Sequence, residues 1–144
     1  MSTSSRPQIN QMIPDFKLKS TDDREFRISI FRGHRDLVLV FTAGTVPQIV
    51  ADIASRIGEL DEENARAFVI APAASRAILS AAHGIPVLLD PELAVSRRFG
   101  ADREAAVYIT DQYGEIYSAH SAPNLPTAHE VLASLRHINA ACPE

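Results

Sequence analysis

Cysteine is almost missing from this sequence: 144 residues hold only Cys142, which has no partner within the chain. An intramolecular disulfide is therefore excluded, and nothing argues for an oxidising compartment. Long apolar runs are missing too. None approaches the roughly 20 residues that a membrane-spanning helix requires, and Met1 to Pro7 holds no signal-peptide core. Nor is there an excess of positive charge. The formal net charge is −4, which leaves no electrostatic footprint for nucleic acid or an anionic membrane. The histidines, His34, His83, His120, His129 and His137, include no pair at i, i+4 spacing, so no metal site is expected and no cofactor is called for. These absences predict a cytoplasmic protein that binds neither nucleic acid nor membrane.

What remains is a chain with 46% apolar residues and no linker, repeat or low-complexity tract. It is of single-domain size, and such a domain buries roughly 70% of its unfolded surface without a disulfide or metal staple. One domain over residues 1–144 is expected, with the polar residues 1–11 as a flexible amino-terminal tail. Phe16-Lys17-Leu18-Lys19 and Phe26-Arg27-Ile28 alternate apolar with polar residues around a turn, which predicts an amino-terminal β-hairpin. Leu37–Phe41 and Ala67–Ile70 are apolar throughout, as central strands covered on both faces are.

Between them, Ile49, Ile53, Ile57 and Leu60 recur at helical spacing after Pro47, predicting one amphipathic helix. Ala73–His83 and Pro91–Phe99 read as helices ended by Gly84 and Gly100, and Val87–Leu89 as a short strand. Ala105–Thr110 and Glu115–Ser118 are strands joined by a tight turn. Thr127 is placed to cap a last helix whose Val131, Leu132, Leu135 and Ile138 share one face. The order of elements predicts a three-layer α/β/α sandwich with a mixed central sheet and an amino-terminal hairpin.

Five stretches in this order resemble the peroxiredoxins of the AhpC/TSA and redoxin type, which have a thioredoxin fold. They are Ile13-Pro14-Asp15-Phe16-Lys17-Leu18, Arg24 to Phe41, Pro86-Val87-Leu88-Leu89-Asp90-Pro91, Arg98-Phe99-Gly100-Ala101 and Val107 to Ile116. The resemblance covers roughly residues 12–118 and implies a thiol-dependent peroxidase, in which a thiolate in the turn after the first buried strand attacks peroxide oxygen. A helix amino terminus and a nearby arginine would lower the pKa of that thiol, and a threonine hydroxyl would orient the substrate.

The residues depart from that pattern where the chemistry sits. Aligned to the redoxin motif, the cysteines fall at Val46 and Ile49; aligned to the peroxiredoxin motif through Thr45, the cysteine falls at Gln48. None of these side chains ionises to a nucleophile. The cis-proline position of thioredoxin-fold oxidoreductases falls at Ala105, and the arginine that replaces it in peroxiredoxins is displaced to Arg103.

Thr45, Val46, Gln48 and Ile49 are therefore degenerate catalytic positions. Thr42, Thr45, Gln48 and Arg103 are candidates for binding a small anion or polar ligand at the helix start. The plainer alternative is that Thr45 caps the helix, that Val46 and Ile49 fill the space of a thiol, and that Arg97, Arg98 and Arg103 are solvated surface residues. Cys142 follows the last helix, with nothing beside it in sequence to depress its pKa. A catalytically silent module that binds itself as a homodimer, or an unidentified protein partner, is the first expectation. An atypical peroxidase is the second.

Overall fold

The computed structural model of the chain describes residues 6–43 and 47–141. β1 (Lys17–Lys19) and β2 (Glu25–Arg27) form the expected antiparallel hairpin, with Leu18 opposite Phe26. β3 (Asp36–Phe41), β4 (Ala65–Ala71), β5 (Val87–Leu89), β6 (Ala106–Thr110) and β7 (Ile116–Ser121) make one mixed sheet in the order β5-β4-β3-β6-β7. β3 runs parallel to β4 and antiparallel to β6, so it is central, and all six of its residues are buried.

Alternation along the strands divides the core in two. Val38, Val40, Val69, Val107 and Ile109 face α1 (Gln48–Ala54), α2 (Ile57–Glu62), α3 (Arg76–Ala81) and α5 (Ala128–Ala141). Leu39, Phe41, Phe68, Ile70 and Tyr108 face the hairpin and α4 (Ala94–Arg98). This is a three-layer α/β sandwich with the mixed sheet in the middle.

The strands lie where the apolar runs predict, whereas three helices are shorter than expected. The helix predicted from Pro47 to Leu60 is broken at Ser55 and Arg56: the Ser55 hydroxyl donates to Asp52 O at 2.7 Å, competing with the helical ladder, and Arg56 leaves helical geometry at φ −124°, ψ 27°. The break turns Ile57, expected on the buried face, outward to 37% exposure. The helix predicted from Ala73 starts only after Ser75, whose hydroxyl accepts the Ile78 N–H at 3.1 Å, and ends at Ala81.

The helix predicted from Pro91 starts at Ala94. Buried Asp90 accepts the Val95 and Ser96 N–H groups, and Leu93 takes a left-handed φ of +60° between them, so Pro91 belongs to the preceding turn. The last helix has its expected cap: Thr127 Oγ1 accepts the Glu130 N–H, and Glu130 Oε1 accepts the Thr127 N–H in return.

Composition predicts a flexible tail over residues 1–11. Its described part, residues 6–11, is tied to the domain by hydrogen bonds that composition does not reveal. Asn10 N–H donates to Ile116 O at 2.8 Å, Ile116 N–H donates to Gln11 O at 2.9 Å, and the Arg6 guanidinium donates to Gly100 O at 2.8 Å. Gly100, at φ +68°, makes that strap fit, because a Cβ there would stand 2.6 Å from Arg6 Nε.

Candidate functional site

β3 carries the chain through the sheet and delivers Thr42 and Ala43 at its carboxyl end, where α/β folds place their sites. Thr42 is 2% exposed, and both of its donors turn inward: the N–H meets Ile70 O at 3.0 Å and the hydroxyl meets the same oxygen at 3.3 Å. The hydroxyl proposed from the sequence as a ligand contact is thus engaged by β4. Thr45 and Val46 lie outside the described residues.

Pro47, at φ −69° and ψ 150°, then leads the chain into the seven residues of α1. Gln48 is exposed on its first turn. Ile49, 5% exposed, packs with Val50 and Ile53 into the helix-side core. Of the described positions that align with a cysteine, one therefore carries a neutral amide at the surface and the other a hydrocarbon in the core.

Among the described residues, the arginines find their partners away from Thr42 and Gln48. Arg97 donates to Glu92 O at 3.2 Å and stands 3.9 Å from Asp102, and Arg98 donates to Asp15 O at 3.0 Å, tying α4 to the segment before β1. Arg103 is exposed in the loop between α4 and β6, and among the described residues no hydrogen bond or ion pair joins it to Thr42 or Gln48. Ala105 is buried, and its carbonyl accepts the Ala122 N–H at 2.9 Å; among the described residues the cis peptide is Ala122–Pro123, in the loop after β7.

Beneath the turn the hairpin-side core is closed by aromatic rings. Phe41 lies 4.8 Å from Phe99 and 6.0 Å from Tyr108 between centroids, and the Tyr108 hydroxyl donates to Phe99 O at 2.6 Å. Burial pushes the pKa of that hydroxyl upward.

On the helix side a cleft of about 320 Å³ opens between α1 and the start of α5, lined by Gln48, Ile49, Asp52, Leu125, Pro126 and Thr127. Gln48 and Ile49 are the predicted site residues that it includes. Asp52 was not singled out in the sequence, although its i, i+4 spacing from Gln48 puts it on the same helix face. Its Oδ2 accepts the Ala128 N–H at 3.0 Å and so holds α5 against α1. Leu125 and Pro126 had no signal in the sequence, since only the fold brings that loop beside α1. Among the described residues, no group of three or more His, Cys, Asp or Glu side chains is placed to hold a metal ion, and no helix is long and apolar enough to cross a membrane.

A model of the AhpC/TSA family matches residues 9–119, more than half of the chain. The chain belongs to the AhpC/TSA family. It is similar in structure to the peroxidoxin BcpB of Mycobacterium tuberculosis, at a TM-score of 0.77 and 19% identity over 92% of this chain and 99% of that one. It is also similar to the mitochondrial 2-Cys peroxiredoxin of Plasmodium falciparum, at a TM-score of 0.76 and 14% identity over 95% and 98%. At these identities the likeness shows the fold. No curated protein matches this sequence. Within the AhpC/TSA frame, the turn after β3 holds no cysteine, and the chain's single one, Cys142, lies outside the described residues.

Proposed function

We propose that this AhpC/TSA-family protein is catalytically silent and acts as a cytoplasmic single-domain module that binds a second copy of itself. The observation that carries this reading is the pair Thr42 and Ile49: the hydroxyl at the end of β3 is bonded into the sheet, and an isoleucine is packed into the core where a redoxin-type cysteine would stand. Peroxide reduction needs a thiolate whose lone pair attacks the O–O bond. Val46, Gln48 and Ile49 offer two hydrocarbons and an amide. Association is supported by the outer edge of β7, which ends the sheet.

The test is peroxide consumption with thioredoxin or dithiothreitol as reductant, comparing the native protein with Cys142→Ser. The native protein should run no faster than a free thiol, whose pKa of about 8.5 leaves only a few per cent as thiolate at neutral pH, and Cys142→Ser, which has no thiol, should run at the background of the reductant alone. Turnover well above that of a free thiol, abolished by Cys142→Ser, would overturn silence and assign peroxidase activity to the terminal thiol.

A further inference from the structure

The pole of the sheet opposite the Thr42 turn carries a cleft that the family chemistry does not use. β5 begins at Val87, opposite Val69, so Ala65 to Phe68 of β4 have no strand on that side. The space left open is a cleft of about 530 Å³, within the range of small-molecule sites. Three arginines line it, Arg24 from the hairpin, Arg35 ahead of β3 and Arg66 from β4, against one carboxylate, Asp61.

Two of these arginines are weakly engaged. Arg35 Nη1 stands 3.3 Å from Asp61 and Arg24 Nε 3.1 Å from Asp22, and every side chain in the two pairs is at least 34% exposed. Pairs this open to water are held loosely and exchange readily for a better partner.

Arg66 is held more firmly. Its guanidinium lies over two rings, Phe31 and Phe68, at 5.6 and 5.3 Å from their centroids, whereas that of the exposed Arg24 lies over one, Phe26, at 5.2 Å. Among the described residues no carboxylate comes within ion-pair distance of it. Burial, reinforced by repulsion from Arg35 and Arg24, holds its pKa below the ordinary value. Val69 N–H donates to Pro86 O on the open side of β4, and the two-residue alternation turns the Ala67 N–H to that same side. A more firmly held guanidinium, two exchangeable ones and a backbone donor therefore face one space.

The cleft also has apolar walls. Ile57, exposed by the break between α1 and α2, and Pro86 line it. Arg24, Gly84 and Pro86 connect it to a second hollow of about 350 Å³ that carries Leu79, itself 44% exposed. Guanidinium groups match the paired oxygens of a phosphate, and the apolar wall suits the body to which a phosphate is attached.

We propose that this cleft binds a small organic phosphate, with Arg66 as its anchor and Arg24 and Arg35 closing on the remaining oxygens. The site is independent of the Thr42 turn, and its ligand is held without chemistry.

The experiment is an amide NMR titration of the full chain with phenyl phosphate and with inorganic phosphate, against sodium chloride at matched ionic strength. Phenyl phosphate should give saturable shifts at Gly58, Ala67 and Gly84 and bind more tightly than inorganic phosphate. Arg66→Met, which keeps an apolar stem over the rings, should weaken binding by about tenfold or more, the loss of a charge-assisted contact. Asp61→Asn should tighten it by freeing Arg35. Shifts that merely follow chloride, or an Arg66→Met protein that binds as the native one does, would overturn the site. Equal affinity for the two phosphates would overturn its organic part. Should Arg66→Met fail to fold, Arg24→Gln at the exposed rim must weaken binding in the same direction, and unchanged affinity there would overturn the proposal.

Discussion

Asp36 opens β3 at 3% exposure, and its Oδ2 is buried without a hydrogen-bond partner. Burial, followed by repulsion from Asp111 and Glu63, pushes its pKa from 3.8 up to about 7. The folded state therefore holds the proton more tightly than the unfolded chain. Stability is complete below the unfolded pKa near 4 and is lost as pH rises to about 7, where the folded carboxyl must ionise in place. Asp36→Asn removes that loss. Chemical denaturation at pH 8 should find the variant more stable than the native protein by roughly 2 to 4 kcal/mol, with the two nearly equal at pH 4. A gap that does not change between these pH values would show that folding does not raise the pKa of Asp36.

At the scale of elements, the strands were legible and the helix ends were not. Leu37–Phe41 and Ala67–Ile70 announce themselves because both faces of a central strand must be apolar, and the first strand is longer by one residue, Asp36, and the second by three, Ala65, Arg66 and Ala71. Periodicity carried the helix from Pro47 straight through Ser55, since a side chain bonding back to the Asp52 carbonyl leaves no mark on the apolar pattern. Pro91 reads as a helix start because the carboxylate that caps α4, Asp90, acts from across the turn.

That the turn after β3 holds no cysteine is legible in the sequence. The burial of the Thr42 hydroxyl and the cleft beside Asp52 are not, because each depends on a partner from another part of the chain, Ile70 in one case and the Leu125–Thr127 loop in the other. Where the sequence signal and the geometry coincide, as at Thr127 and Glu130, a quantitative expectation follows. Thr127→Ala breaks the reciprocal cap of α5 and should lower stability by about 1 kcal/mol in urea. A loss below a few tenths would mean that the Asp52 carboxylate, on the Ala128 N–H, suffices as the cap.

For the whole molecule, the two edges of the sheet differ. At β5 the hairpin turn covers the edge: Thr21 N–H donates to Val87 O at 3.0 Å, and Ser20 bridges to Leu88. At β7 residues 10–12 cover only the beginning, through Ile116 and Glu115. The Ala122 N–H donates to Ala105 O on the β6 side, so alternation in the ladder turns the N–H groups of Ala119 and Ser121 outward. An edge of this kind recruits another strand, and a second copy laid antiparallel presents the same groups in reverse. The homodimer proposed above is expected to form here and to bury at least about 1,000 Å² in total. Ala119→Pro deletes one outward donor and leaves the β6 ladder its bonds, since edge strands tolerate proline where the N–H faces solvent. Sedimentation at tens of micromolar should find the native protein dimeric and Ala119→Pro monomeric, with the circular dichroism of both alike. A native monomer would reject self-association, and a dimeric Ala119→Pro would move the interface away from β7.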